Sequence, residues 1–339
     1  LFFALPVFLG CVFQQLYNMA DTIIVGNTVG PEAFTGVGLT GSIVFLVVGS
    51  MNGLTSGFSV KVAQAFGAGE EDRVRRAVGM SYLLSILVAA VVTAVAVPLT
   101  GVLLDLMQTP PAYYEYAYSY LFVIFCGIPA TVFYNIVAGM LRAVGDSRTP
   151  LYFLILSALL NVGLDFLFIL AFRMHYTGAA VATVLSQLIS GIGCLICALH
   201  CYPVLRPRRS DFRWDFRLAG GHLAQGLPMA LQFSITAIGC MVQQTALNGL
   251  DAALPGVVTA YTAASKVDGI ATQTFVALGT AMATYTGQNY GAKEYGRIRK
   301  GVKVGMLYCL ISCALAFVFD VALCEPLMRL FLNTDLSAN

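Results

Sequence analysis

The sequence predicts an all-α, polytopic membrane protein made of two parallel, pseudo-symmetric lobes of six helices, the second incomplete in this chain. Three observations carry that reading: a composition too apolar for a soluble domain, recurring apolar runs long enough to cross a bilayer, and one internal repeat. Of the 339 residues, 58% are hydrophobic and only 11% charged, with a mean hydropathy of +0.79. Soluble domains carry about 25% charged residues, so this chain lacks the groups that keep a surface wet. The net charge of +2 names no partner; the distribution of charge matters here.

Apolar runs of about 17–25 residues suffice to span a hydrocarbon core. Hydropathy read together with turn residues gives nine spans, at 1–26, 33–66, 77–104, 114–142, 149–172, 178–202, 223–249, 256–289 and 301–331. The first has no separate basic leader or cleavage pattern and reads as a span rather than a signal peptide. The second and eighth exceed what a bilayer needs and tilt or project beyond it. Fifteen of the nineteen Lys and Arg fall in the loops after even-numbered spans, "GAGEEDRVRR", "RAVGDSRTP", "RPRRSDFRWDFR" and "GAKEYGRIRKGVK", while Arg173 and Arg329 lie on the other side. The positive-inside rule then puts those loops and the N-terminus in the cytoplasm, with the protein in the plasma (inner) membrane. At the opposite interface, "YYEYAYSY" (113–120) supplies an aromatic belt.

The repeat sets the domain plan. "QAFGAGEEDRVRRAV" from Gln64 returns as "QNYGAKEYGRIRKGV" from Gln288, and Leu5–Pro6 returns as Leu227–Pro228. Six spans plus a linker make one unit, and an even number of crossings leaves the two copies parallel, a common transporter plan. The predicted units are an N-terminal lobe at 1–202, a basic cytoplasmic linker at 203–222 and a C-terminal lobe at 223–339 with three of its six spans. The chain is therefore expected to be a C-terminally truncated fragment with nine of twelve helices. The repeated motif itself needs no ligand: its glycines end helices, its acids favour a helix N-terminus, and its arginines sit at an anionic leaflet. Gly67–Gly69 lacks a preceding strand and is no dinucleotide fingerprint.

Polar residues inside the spans carry the functional signal. On the first span Gln14, Tyr17, Asn18 and Asp21 share one face, which cannot look at lipid and so lines a cavity or a helix contact, with Gln14, Tyr17 and Asn18 candidates for a substrate path. Asn161 and Asp165 form an i,i+4 pair on the fifth span, and Thr183 on the sixth lies at a similar depth. A charged group at membrane depth costs several kcal/mol unless paired, hydrated or protonated. No Lys or Arg occurs at that depth in the first six spans. A proton shared between the acids, or a cation such as Na⁺ held by oxygen ligands, answers the cost; separately hydrated acids at helix contacts are the structural alternative. In the second half Lys266 and Asp268 are expected to reach a central cavity on the substrate path, while Gln232 and Gln243 either line that path or glue helices together. Cys194, Cys197 and Cys201 share a helix face but read as packing residues, without the partners a zinc site needs. No convergent nucleophile–base or metal cluster points to an enzyme.

Taken together, "LPVFLGCVFQQLYNMADTIIVG", "GMLRAVGDSRTPL", "TGAAVATVLSQ" and "ALGTAMATYTGQNYGA" resemble the multidrug and toxic-compound extrusion (MATE) transporters along essentially the whole chain. The resemblance implies alternating access between two six-helix lobes and export of cationic or amphipathic drugs against Na⁺ or H⁺ entry. It implies that Asp21, Asn161, Asp165 and Thr183 form the cation-coupling site, with Asn135 a further candidate lying more inward, and that the first span bends at Pro6. Some members carry an acid near Gln232, where this chain has an amide. The expected partners are a small-molecule substrate and the bilayer, with no nucleic acid, no cofactor beyond the coupling ion, and a monomeric state. The competing reading is a lipid-linked saccharide or lipid flippase of the same superfamily, which would want several cationic residues in its cavity; Lys266 is the clear candidate.

Overall fold

The structure, a computed structural model, describes residues 2–28, 36–107, 109–172, 174–251 and 257–332. Side chains at 16–23, 25–28, 175–176, 244–245, 248–251, 257–268, 270–271, 319–320 and 322–332 fall outside the described ones. Among the described residues the chain is helical, without strands: α1 (Ala4–Thr28), α2 (Gly41–Gly67), α3 (Glu71–Ala96), a short α4 (Thr100–Leu106), α5 (Pro111–Cys126), α6 (Ile128–Ala143), α7 (Arg148–Phe166), α8 (His175–Cys201), α9 (Phe216–Asp251), α10 (Val257–Gly291) and α11 (Tyr295–Leu332). Each predicted span meets one helix or one broken pair. Among the described residues six helices are long and apolar enough to cross a membrane, seven if α5 and α6 make one span.

The breaks have local causes. The third span, expected unbroken over 77–104, begins earlier at Glu71 and stops at Ala96, because Pro98 brings no N–H to continue the ladder. The fourth is bent by 48° between α5 and α6. There Gly127 is followed at one remove by Pro129, whose ring cannot sit against the preceding turn, and a Cβ on Gly127 would overlap Val184 of α8. Gly69, at φ +73°, ends α2. The helix of the seventh span, expected from 223, starts earlier: Asp215 accepts the N–H groups of Arg217 (2.9 Å) and Leu218 (3.1 Å) and starts α9 at Phe216.

Helix α2 is the hub, packed on α9, α10, α6 and α3. Lipid tails give apolar helices no reason to associate, so close backbone approach and hydrogen bonds must do it. Small residues supply both. A Cβ on Gly53 would come within 2.6 Å of the Met229 carbonyl, one on Gly57 would overlap Gly226, and the Ser50 and Ser234 hydroxyls are 2.7 Å apart. At the basic end of the molecule the repeat meets itself. A Cβ on Gly67 would overlap the Gln288 carbonyl, and one on Gly291 would overlap the Gln64 carbonyl. These are equivalent positions of the two copies, so the crossing of α2 and α10 is reciprocal.

Two apolar cores flank this axis in the first half. One, around Phe58, Val62, Val78, Met140 and Leu141, lies toward the basic end; the other, around Ile43, Leu104, Leu121, Phe125 and Ile128, lies toward the opposite end.

Candidate functional site

Helix α7 is built the reverse of a soluble amphipathic helix. Its buried residues are Pro150, Ser157, Asn161 and Asp165, whereas Leu156 and Leu159 face outward. Exposed leucines cost nothing in lipid, so the polar stripe turns inward against α1, α6 and α8. Asn161 and Asp165 are completely buried (0% exposed) and Thr183 nearly so (9%). The Asn161 amide Nδ2 donates to Thr183 Oγ1 (3.3 Å), and that hydroxyl donates in turn to the Ala179 carbonyl (3.0 Å). Asn161 Oδ1 is buried with no hydrogen-bond donor among the described residues. One turn further along α7 stands the Asp165 carboxylate, followed by a π-helical turn at Leu167–Ala171. An orphaned amide oxygen, a carboxylate and a hydroxyl with a spare lone pair form a donor set that fits a proton or a hard cation such as Na⁺.

Ser157 precedes Asn161 by one helical turn and Gln187 follows Thr183 by one. Because α7 and α8 run in opposite directions, both steps lead about 6 Å toward the basic end. They reach a cavity of about 50 Å³ lined by Gln14, Asn52, Thr131, Asn135, Ser157 and Gln187 among others, room for a few waters. Its amides and hydroxyls are tied together: Asn135 Nδ2 donates to Asn52 Oδ1 (2.8 Å) and to the Thr131 carbonyl (2.9 Å), and Thr131 Oγ1 donates to Gln187 Oε1 (2.6 Å).

The predicted residues therefore divide. Asn161 and Thr183 are hydrogen-bonded, Asp165 is buried one helical turn from Asn161, and Gln14 and Asn135 both line the adjoining cavity. The side chains of Tyr17, Asn18, Asp21, Lys266 and Asp268 lie outside the described residues. Gln232 and Gln243 are exposed on α9. Pro6 occupies the first turn of α1, where its missing N–H leaves no intrahelical bond unmade, while Pro228 lies inside α9. Sequence reasoning passed over Asn52, Thr131, Ser157 and Gln187; each is a polar residue within an apolar run, the same signal that singled out Asn161.

Asp146 was passed over as well. After Gly145 turns the chain at φ +98°, Asp146 Oδ1 accepts the N–H groups of Arg148 (2.9 Å) and Thr149 (3.0 Å), starting α7. Its Oδ2 accepts the Tyr202 hydroxyl (3.0 Å) beyond the end of α8. Partial burial works against the charge on Asp146, but the bonds from Thr149, Tyr202 and Arg148 outweigh it and hold the carboxyl below its ordinary range. Burial, then the bond to Asp146, pushes the Tyr202 phenol up to about 12. The two helices that carry Asn161, Asp165 and Thr183 are thus clamped at their basic ends.

The MatE family model matches residues 6–167 and 228–338 of this chain. The chain belongs to the MatE family. It is a family of transporters, not enzymes, and the protein is a multi-pass membrane protein. The chain is 30% identical over 298 residues to the "Probable multidrug resistance protein YpnP" of Bacillus subtilis (strain 168), covering 87% of this chain and 65% of that protein. It is 28% identical over 339 residues to the "Probable multidrug resistance protein NorM" of Thermotoga maritima, covering 97% and 70%. With the FAD transporter of Shewanella oneidensis it shares 24% identity over 344 residues, covering 98% and 73%. The chain thus spans about two thirds of the length of these relatives. Among solved structures it superposes on MATE in complex with MaL6 with a TM-score of 0.88 at 23% identity, over 98% of this chain and 73% of that one. A MOP superfamily transporter from Pyrococcus furiosus Vc1 gives a TM-score of 0.89 at 23% identity, over 98% and 74%. At that identity the likeness speaks for the fold.

Proposed function

We propose that this MatE protein is a Na⁺- or H⁺-coupled antiporter that exports cationic or amphipathic small molecules by alternating access. The observation that carries the reading is the burial of Asn161, Asp165 and Thr183, which sets an ionisable group one helical turn from a hydrogen-bonded amide and hydroxyl. Such a carboxylate is stable as a neutral acid or beside a cation. A change of occupant therefore changes the energy of the helix packing around it, and differential stabilisation is what couples an ion to a conformational equilibrium. In this reading Asp21, carried on α1, is the second acid that takes up the coupling ion. The reciprocal α2–α10 crossing and the Gln288 Nε2 bond to the Ala143 carbonyl (2.8 Å) join the two halves at the basic end, a closure that alternating access must make and break.

The domain plan goes with this reading: an N-terminal lobe over 1–202, a cytoplasmic linker and a second lobe from 223, in the inner membrane with a cytoplasmic N-terminus, working as a monomer. The two separate stretches matched by the family model begin at residues 6 and 228, in step with the repeat. The drug-export reading is preferred to a lipid-linked saccharide flippase because the polar residues that line the described cavity are amides and hydroxyls, without a Lys or Arg among them to hold a pyrophosphate. The test is efflux of a fluorescent cation from cells expressing the protein, with Na⁺ and pH gradients imposed one at a time. Export that follows one of the two gradients is expected. Export driven equally well with both gradients collapsed would refute the coupling, and recognition of anionic headgroups alone would favour the flippase.

A further inference from the structure

The linker between α8 and α9 has no part in the coupling chemistry, yet it is pinned in place. Leu205 is buried (1% exposed) in the core beside Val74 and Ala77. The Arg206 guanidinium donates to the last carbonyls of α8, those of Leu199 and His200. The Asp211 carbonyl lies against Gly79 of α3, where a Cβ would stand 2.5 Å away. The linker is thus a strap fixed across the basic ends of α3 and α8.

What the strap shows to the outside is a row of arginines interleaved with aromatic rings. Its own acids are already engaged: Asp211 Oδ2 accepts the Arg208 N–H (2.7 Å), and Asp215 caps α9. The Asp72 carboxylate nearby is bonded to Arg75 at 2.5 Å, and that bond first of all holds it below the ordinary carboxylate range. Among the described residues Arg208, Arg209, Arg213 and Arg217 are exposed and make no ion pair. Trp214 (44% exposed) and Phe216 (83%) contact edge to face at 6.0 Å, where the strap enters the membrane-spanning α9.

We propose that this strap is a binding surface for anionic phospholipid. The guanidinium forks of Arg208, Arg209, Arg213 and Arg217 grip headgroup phosphates, and Trp214 and Phe216 insert at the level of the headgroups. Three arguments favour lipid over a nucleic acid or an acidic protein. The surface continues directly into a transmembrane helix. Indole and phenyl rings exposed to water are costly but are stabilised at a membrane interface. Arginine matches phosphate bidentately, and basic residues beside a span are attracted to an anionic leaflet.

Trp214 is the one tryptophan of the chain, so its fluorescence reports on the strap without labelling. The protein is placed in phosphatidylcholine nanodiscs containing a small, equal fraction of shallow spin-labelled lipid, either phosphatidylglycerol or phosphatidylcholine. Several-fold stronger quenching by the phosphatidylglycerol label is expected. The Arg208→Gln/Arg209→Gln/Arg213→Gln variant should fall to the phosphatidylcholine level while keeping that basal quenching, which shows that the strap still sits at the membrane. Both leaflets of the disc are alike, so the outcome does not depend on orientation in the cell or on the antiport reading. Equal quenching by the two lipids, or none by either, would overturn the proposal. So would loss of the phosphatidylglycerol preference on adding millimolar inorganic phosphate or micromolar single-stranded RNA, which would assign the arginines to a free anion or a nucleic acid.

Discussion

Asn161 holds its place by one hydrogen bond to Thr183 and presents its other amide atom to the site. Removing the amide by Asn161→Ala should weaken ion coupling about tenfold, since a lost ligand or orienting bond of this kind is worth roughly 1–2 kcal/mol. Thr183→Val, which keeps the shape and loses the oxygen, should act in the same direction; the shift in ion concentration needed for half-maximal efflux measures both. If Asp21 and Asp165 form one unit with them, Asp21→Asn combined with Asp165→Asn should add little to either alone. Asp146 offers a different check, on stability. Its carboxyl titrates below the ordinary value of 3.8, so the charged form is favoured in the fold. Its contribution is full above that ordinary value and is lost as pH falls through the lower folded value. Asp146→Ala should lower the melting temperature in detergent at neutral pH by the loss of a helix cap, about 1 kcal/mol. The deficit against wild type should shrink below about pH 4. Asn161 and Asp165 were legible because a polar pair one turn apart within an apolar run has few explanations. Asp146 was not, because its partner Tyr202 is 56 residues away and a loop carboxylate carries no such contradiction.

Among the elements, the helices were readable and their joints less so. Apolar length places a span, but the 48° bend between α5 and α6 depends on Gly127 and Pro129 meeting Val184 of another helix. The repeat was visible as sequence, yet its glycines read only as helix ends. In the structure Gly67 and Gly291 are where two helices cross at backbone distance, each against the other copy's glutamine. A side chain there meets a carbonyl rather than a movable rotamer, so the helices must separate. Gly67→Val should lower thermal stability and open the basic end. Asn52→Cys in the cavity would then react with a membrane-impermeant maleimide applied from that side, and should stay protected when Gly67 is intact. Equal labelling in both backgrounds would show that the crossing is no barrier.

For the molecule as a whole, charge asymmetry and the repeat speak to topology before any coordinate does. A reporter fused after Arg217 should face the cytoplasm and one near Ala252 the opposite side; a reversed result would invert every depth argument above. What composition could not convey is how two helices of the first half bury an acid, an amide and a hydroxyl close together, because that depends on the register of α7 against α8. The claim that this point couples an ion to export is tested most directly by Asp165→Asn. Efflux of a fluorescent cation would be followed under an imposed Na⁺ or pH gradient, alongside the dye's binding affinity. The amide keeps the size of the side chain and removes its titratable charge, so gradient-driven efflux should disappear while expression and dye binding persist. Efflux by Asp165→Asn at close to the wild-type rate, still following the gradient, would contradict the account.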